Sequence, residues 1–180
     1  MRGAEETGGS RMAMSAHVQR LRAALGSELL VLPSVTGIVF DERDRILLVR
    51  QSAGGSWSAP GGSVDPNETP ADAVVREVWE ETGLYVDPVR LLGVYGGPAC
   101  VVTYPNGDRT AYVMTVFECE VRGGTLQPTS DETTDAAFVG VSELADYRTT
   151  PWVRHVLPGL YDRSRKGHFD APSWRPPVST

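Results

Sequence analysis

The sequence predicts an α/β fold of the α+β kind, a mixed sandwich and not a doubly wound parallel sheet. Three observations predict it. One helix, near the middle of the chain, carries both start and stop signals over residues 69–83. Apolar, strand-forming stretches precede that helix. The strands after it are mostly antiparallel, and one pair is joined at Asn106-Gly107, a strong tight-turn signal. A length of 180 residues suits one domain with a sizeable core and trimmings at each end.

Taken in order, residues 1–13 are small and polar and are expected to be mobile. Met14 to Leu25 reads as a helix with Val18, Leu21, Ala24 and Leu25 on one face, suited to packing on its own domain or on a second subunit. Leu29 to Leu32 reads as a short strand before Pro33. Val35 to Phe40 and Arg45 to Arg50 read as paired strands around the polar turn Asp41-Glu42-Arg43-Asp44. The continuous run Ile46 to Val49 suggests burial on both faces. Gln51 to Ser56 is a small-residue loop, and Trp57-Ser58-Ala59-Pro60-Gly61-Gly62 leads toward the central helix.

In that helix Thr69 suits the N-cap, Pro70 the first helical position and Gly83 the stop. Asp72 adds negative charge at the positive end. Ala71, Val74, Val75 and Val78 form its apolar stripe. Val89 to Val94 is the next strand, closed by Tyr95-Gly96-Gly97-Pro98, and Val101 to Tyr104 with Thr110 to Val121 forms a hairpin. Residues 125–135 are a polar loop holding Asp131, Glu132 and Asp135. Ala136 to Val141 is a strand, Ser142 to Tyr147 a short helix, and Thr150-Pro151 opens a last helix to about Tyr161. Asp162 to Thr180 is an irregular tail that includes Trp174.

Composition narrows the partners. A formal net charge of −6 disfavours binding to nucleic acid polymers, and a protein this acidic must recruit cations to handle an anionic phosphate. Cys100 and Cys119 have no metal-binding or redox spacing, which suits reduced thiols in the cytoplasm. No apolar run approaches the 18 or so residues of a membrane span, and the polar N-terminus does not read as a secretory signal.

The chemistry concentrates in Gly62 to Leu84. Glu77, Glu80 and Glu81 stand at i, i+3 and i+4, so their carboxylates share one helix face. Like charges so placed raise one another's pKa values, and a hard divalent cation relieves the conflict. Arg76 stands one turn before Glu80 and can orient its carboxylate. Pro60-Gly61-Gly62-Ser63 is a loop that lets backbone approach a ligand closely. A bare Glu-x-x-Glu-Glu is common on solvated helices. The full pattern Gly62-x5-Glu68-x7-Arg76-Glu77-Val78-x-Glu80-Glu81-x-Gly83-Leu84 is not, and arises at a given start by chance about once in a billion or less.

This stretch resembles the Nudix box of the Nudix hydrolase superfamily, with every fixed position intact, and flanking patterns extend the likeness over roughly residues 34–147. The resemblance implies the Nudix fold, an α/β/α sandwich around a mixed β-sheet. It divides the chain into an N-terminal extension with a helix (1–30), a Nudix hydrolase domain (31–162) and a Pro/Arg-rich tail (163–180). It also implies Mg2+-dependent hydrolysis (Mn2+ being an alternative ion) of a nucleoside diphosphate linked to another moiety, such as ADP-ribose, a nucleotide sugar or a nucleoside triphosphate.

Carried over by position, Glu77, Glu80, Glu81 and the Gly61 carbonyl become metal ligands. Arg76 becomes an orienting residue and Glu68 its salt-bridge partner. The general base is left among Glu77, Glu80 and the loop acids Asp131, Glu132 and Asp135, with Glu132 first among the last three. Arg50, Trp57 and Tyr95 are candidate substrate contacts, Tyr104 and Tyr112 weaker ones. Trp57 also suits core packing. Pro98 and Pro105 are both candidates for the downstream proline of some subfamilies. Homodimers are common in the family. Two rival readings are a non-catalytic nucleotide-sensing module and an enzyme like isopentenyl diphosphate isomerase, which alters the box and uses a cysteine with a glutamate.

Overall fold

The computed structural model describes residues 15–104, 106–128 and 131–172. The expectations for residues 1–14, for Pro105 and for the end of the tail with Trp174 lie outside the described residues. The strands are β1 (Leu30–Val39), β2 (Ile46–Gln51), β3 (Trp57–Ser58), β4 (Leu84–Tyr95), β5 (Val101–Thr103), β6 (Arg109–Gly124) and β7 (Thr133–Val139). The helices are α1 (Ala16–Leu25), α2 (Pro70–Thr82) and α3 (Pro151–Val156). β6 carries β1 parallel along one side, and β4 followed by β5 antiparallel along the other. β2 lies between β3 and β7 in an antiparallel sheet.

Alternation along β1 and β2 sends side chains into two cores. Val35, Val39 and Leu47 meet Val74 and Val78 of α2. Ile38, Ile46 and Leu48 meet Val153 of α3 and Leu157 after it. The result is an α/β/α sandwich with mixed strand directions. Val74 and Val78 are each 0% exposed, and burying such a side chain contributes about 1.5–3 kcal/mol. Gly37 lets α2 sit this close: a Cβ there would lie 2.6 Å from Val78 Cγ2.

Several elements differ from expectation. β1 runs through Pro33 and merges the two strands expected around it. Proline is tolerated because β1 is an edge strand. Its outer side meets the chain at Pro60–Val64: Val35 and Gly37 donate to the carbonyls of Gly62 and Pro60, and Val64 donates to that of Pro33. β1 and β2 are not a hairpin. Only Phe40 and Ile46 bridge them, because each strand takes a longer partner, β6 and β7. Ala73, not Ala71, completes the buried stripe of α2, and Ala71 is exposed.

β4 begins directly after Gly83 and passes Asp87-Pro88, whose breaker chemistry concealed it; its register with β6 shifts there. Ser142–Tyr147 is a 3-10 turn over Val141–Asp146, and the last helix ends at Val156 and tightens into another over Leu157–Leu160.

Both flanks pack on the sandwich. Val18 of α1 joins Leu30 and Leu32, whereas Leu25 is exposed. Arg22, 9% exposed, donates to the carbonyls of Gly26, Glu28 and Arg109 and to Thr110 Oγ1. At the other flank His168 donates to the Leu92 carbonyl at 2.9 Å and accepts from the Val94 N–H at 3.0 Å, adding a short bridge to the outer edge of β4. Arg90 Nη1 donates to the Arg165 carbonyl at 2.9 Å. Glu118, 6% exposed, accepts from Arg90 Nε and Arg163 Nη2, both at 2.8 Å.

Candidate active site

The site grows from α2. Thr69 caps it, accepting from the Asp72 N–H at 3.1 Å, Pro70 opens it, and Gly83 ends it in the left-handed conformation. The three carboxylates of one face fall on a gradient of burial. Glu81 is 5% exposed, while the side chain of Glu77 is 13% exposed and that of Glu80 51%.

Glu81 accepts from the Gly61 N–H at 2.9 Å. Burial pushes its pKa up to about 8; the Gly61 bond opposes the shift, and the charges of Glu77, Glu132 and Glu80 add to it. Burial likewise pushes Glu77 up to about 7, with Arg76 opposing and Glu80 and Glu132 adding to the rise. The Glu77 carboxylate lies against the backbone of Gly62, where a Cβ would come within 2.5 Å of Oε1. Any larger residue would push that carboxylate aside.

Arg76 organises the rim. Its Nε and Nη2 grip Glu68 at 2.8 and 2.9 Å. Nη1 donates to Glu77 at 2.8 Å and to Glu80 at 3.1 Å, and Nη2 also donates to the Ser63 carbonyl. Those bonds hold the Glu68 carboxyl below its usual range, with burial opposing. They also raise the Arg76 pKa, the Glu68 bond most of all.

Among the described residues no three acidic, histidine or cysteine side chains are gathered into a finished metal cage. Glu77 and Glu80 turn to Arg76, and Glu81 turns to the Gly61 N–H. The donor set nevertheless fits a hard divalent cation. It is all oxygen, and two of its carboxylates, buried Glu81 and largely buried Glu77, have protonation favoured by desolvation, a penalty that an adjacent cation reverses.

Glu132 is half-buried, and its charge acts on both Glu77 and Glu81. Asp131 is exposed beside it. Asp135 is not in the loop but in β7, exposed and opposite Arg50. Arg50 pairs with Trp57 on its other side. Trp57 takes its core role, edge-on to Tyr147 at 5.1 Å and packed against the α3-side cluster.

Tyr95, a candidate substrate contact, lies on the α3 side of the sandwich. It is 6% exposed within that same cluster, its ring stacked on His168 at 5.1 Å, so the tail covers it on the side away from α2. Tyr104 and Tyr112 share a hydrogen bond between their hydroxyls, and Tyr112 packs toward α1. The sequence reading passed over Thr133, 6% exposed, whose hydroxyl donates to the Glu81 carbonyl at 3.0 Å. A threonine opening a strand carries no signal of that contact.

A family model for the NUDIX domain matches residues 31–160. A MutT-like protein of Streptomyces ambofaciens is 34% identical over 127 residues, which is 71% of this chain and 75% of that protein. An ADP-ribose pyrophosphatase of Methanocaldococcus jannaschii is 35% identical over 62% of this chain, a match that spans 63% of the relative's length. The crystal structure of an ADP-ribose pyrophosphatase from Streptococcus suis superposes with a TM-score of 0.61 at 28% identity, covering 77% of this chain and 96% of that one. The chain belongs to the NUDIX family and is a Nudix pyrophosphohydrolase.

Proposed function

We propose that this family member hydrolyses the pyrophosphate bond of a nucleoside diphosphate linked to a second moiety, with Mg2+ or Mn2+ as cofactor. ADP-ribose is the first substrate to try, because two of its relatives are named for that activity. The observation that carries the reading is the pair of carboxylates, buried Glu81 and largely buried Glu77, on one helix face with raised pKa values and Arg76 set among the acids around them.

Glu77, Glu80, Glu81 and the Gly61 carbonyl would hold the cation. When bound, it supplies charge neutralisation for the phosphate oxygens and lowers the pKa of a water molecule. Arg76 aims Glu77 and Glu80, while Glu68 fixes Arg76 from behind. Glu132 accepts the proton of the attacking water; its placement beside the acid pair supports this over Asp131 and Asp135. Of the substrate contacts, exposed Arg50 remains the candidate for a phosphate.

The isomerase-like reading loses ground because burial pushes the Cys119 thiol up to about 12 and raises that of Cys100, the reverse of an activated cysteine. A homodimer would use surfaces other than the inner side of α1, and sedimentation reads it.

The test is a panel of ADP-ribose, nucleotide sugars, dinucleoside polyphosphates and nucleoside triphosphates, assayed with Mg2+ or Mn2+ by released phosphate after phosphatase coupling. Cleavage that chelation abolishes is the expected result. Tight nucleotide binding with no cleavage of any member would favour the sensing module instead.

A further inference from the structure

The segment that carries Glu132 is stitched to the last turn of α2 by that helix's own spare carbonyls. A helix leaves its final carbonyls without internal partners. Here Thr125 N–H donates to Gly83 O at 3.2 Å, Gln127 N–H donates to Thr82 O at 2.9 Å, and Thr133 Oγ1 donates to Glu81 O at 3.0 Å. The first two bonds hold the start of the loop and the third holds its end. Ser52 N–H adds a fourth tie, donating to the carbonyl of Glu132 itself at 2.8 Å.

The Thr133 bond differs from the rest because it comes from a side chain and is buried. It joins the residue after Glu132 to the backbone of Glu81, so the two acids share a rigid reference with one hydroxyl between them. The other ties are backbone bonds that any sequence could make.

We propose that Thr133 is a positioning residue whose hydroxyl fixes the distance and orientation of Glu132 relative to Glu81. The inference rests on the reading of Glu132 as the proton acceptor. A base must sit within hydrogen-bond reach of its water, and a displacement near 1 Å costs on the order of 100-fold in rate. Valine matches threonine in shape and lacks the donor, so Thr133→Val removes the tie and keeps the packing. Thr133→Ser keeps the donor.

The experiment measures kcat and KM for wild type, T133V, T133S, E132Q and T133V/E132Q on ADP-ribose with Mg2+, or on another panel member that the wild type cleaves, with melting temperatures as a check on folding. T133V is expected to lower kcat by about 10- to 100-fold with KM within about twofold. T133S should restore most of the rate. In the E132Q background T133V should cost less than about twofold more, since the residue it positions is already disabled.

Normal kcat in T133V beside an inactive E132Q overturns this inference and leaves the proposed reaction standing. Near-normal turnover in E132Q removes the base assignment and this inference with it. Losses that multiply in the double variant show the hydroxyl acting on Glu81 alone and also overturn it. If T133V does not fold, Thr133→Ala takes its place under the same criteria.

Discussion

Two carboxylates in this molecule are almost equally hidden from solvent, Glu81 deep in the fold and Glu118 just beneath the surface, and their pKa values shift in opposite directions. Glu81 is 5% exposed and Glu118 6%. Burial alone would raise both pKa values. At Glu118, hydrogen bonds from Arg90 and Arg163 outweigh burial, and the pKa falls. At Glu81 the Gly61 N–H opposes burial, the neighbouring charges that act on it are acids, and the pKa rises to about 8. One cluster holds two guanidiniums, Arg90 and Arg163, for two acids, Glu118 and Asp44. The other spends one guanidinium on Glu68, Glu77 and Glu80. Charge balance marks the structural site, and cation deficit marks the site that calls for a metal.

The contrast can be broken from either side. The largest expected effect is in turnover. Glu81→Gln should reduce Mg2+-dependent hydrolysis by about 100-fold or more, as for loss of a central charge-stabilising group. Near-normal turnover would remove Glu81 from the reaction.

Glu118→Gln is the matched control. It should leave kcat within about twofold but cost roughly 1–3 kcal/mol of stability in urea unfolding. The lower end is favoured because Arg90 and Arg163 keep side-chain exposures of 36% and 49% and can turn to water. A large fall in kcat at unchanged stability would erase the distinction between the clusters.

The smallest effect is the pH dependence of the metal-free protein. Glu77 and Glu81 have folded-state pKa values raised to about 7 and about 8, so the native state binds more protons than the unfolded state between the ordinary glutamate range and those values. Their contribution therefore makes stability fall as pH rises through that window. Glu118, with its lowered pKa, contributes stability above its unfolded pKa that is lost as pH falls through the folded one. Melting temperature in EDTA should thus decline from pH 6 to pH 8.5, and Mg2+ should restore more of it at the upper end. A flat profile in EDTA would mean that the two glutamates are not desolvated.

The helix and its acids were legible because their signals are local. Capping residues, a left-handed glycine stop and i, i+3, i+4 spacing are all set between Thr69 and Gly83, and the structure keeps every one of them. Strand partners are not local. The runs at Val35 and Ile46 look alike in sequence, and nothing in either says that one pairs with β6 and the other with β7.

The same gap explains Tyr95. Period-two alternation separates the faces of a strand without saying which core a face meets, and a tail residue seventy-three positions away, His168, decides what covers the ring. Arg22 shows the same limit from the polar side. A cation on a surface helix reads as solvated, yet its partners lie across the fold at Arg109 and Thr110.

The tie between His168 and β4 bears on how the protein is handled. Strand edges with free N–H and C=O groups recruit other chains, and this one displays Val89, Leu91 and Val94 at 42–50% exposure. The bridge at Gly93 occupies part of that edge. Expression of a version cut before Arg163 would bare the edge and remove the Arg163 clamp on Glu118 together, and it should yield soluble aggregate where the longer chain stays dispersed.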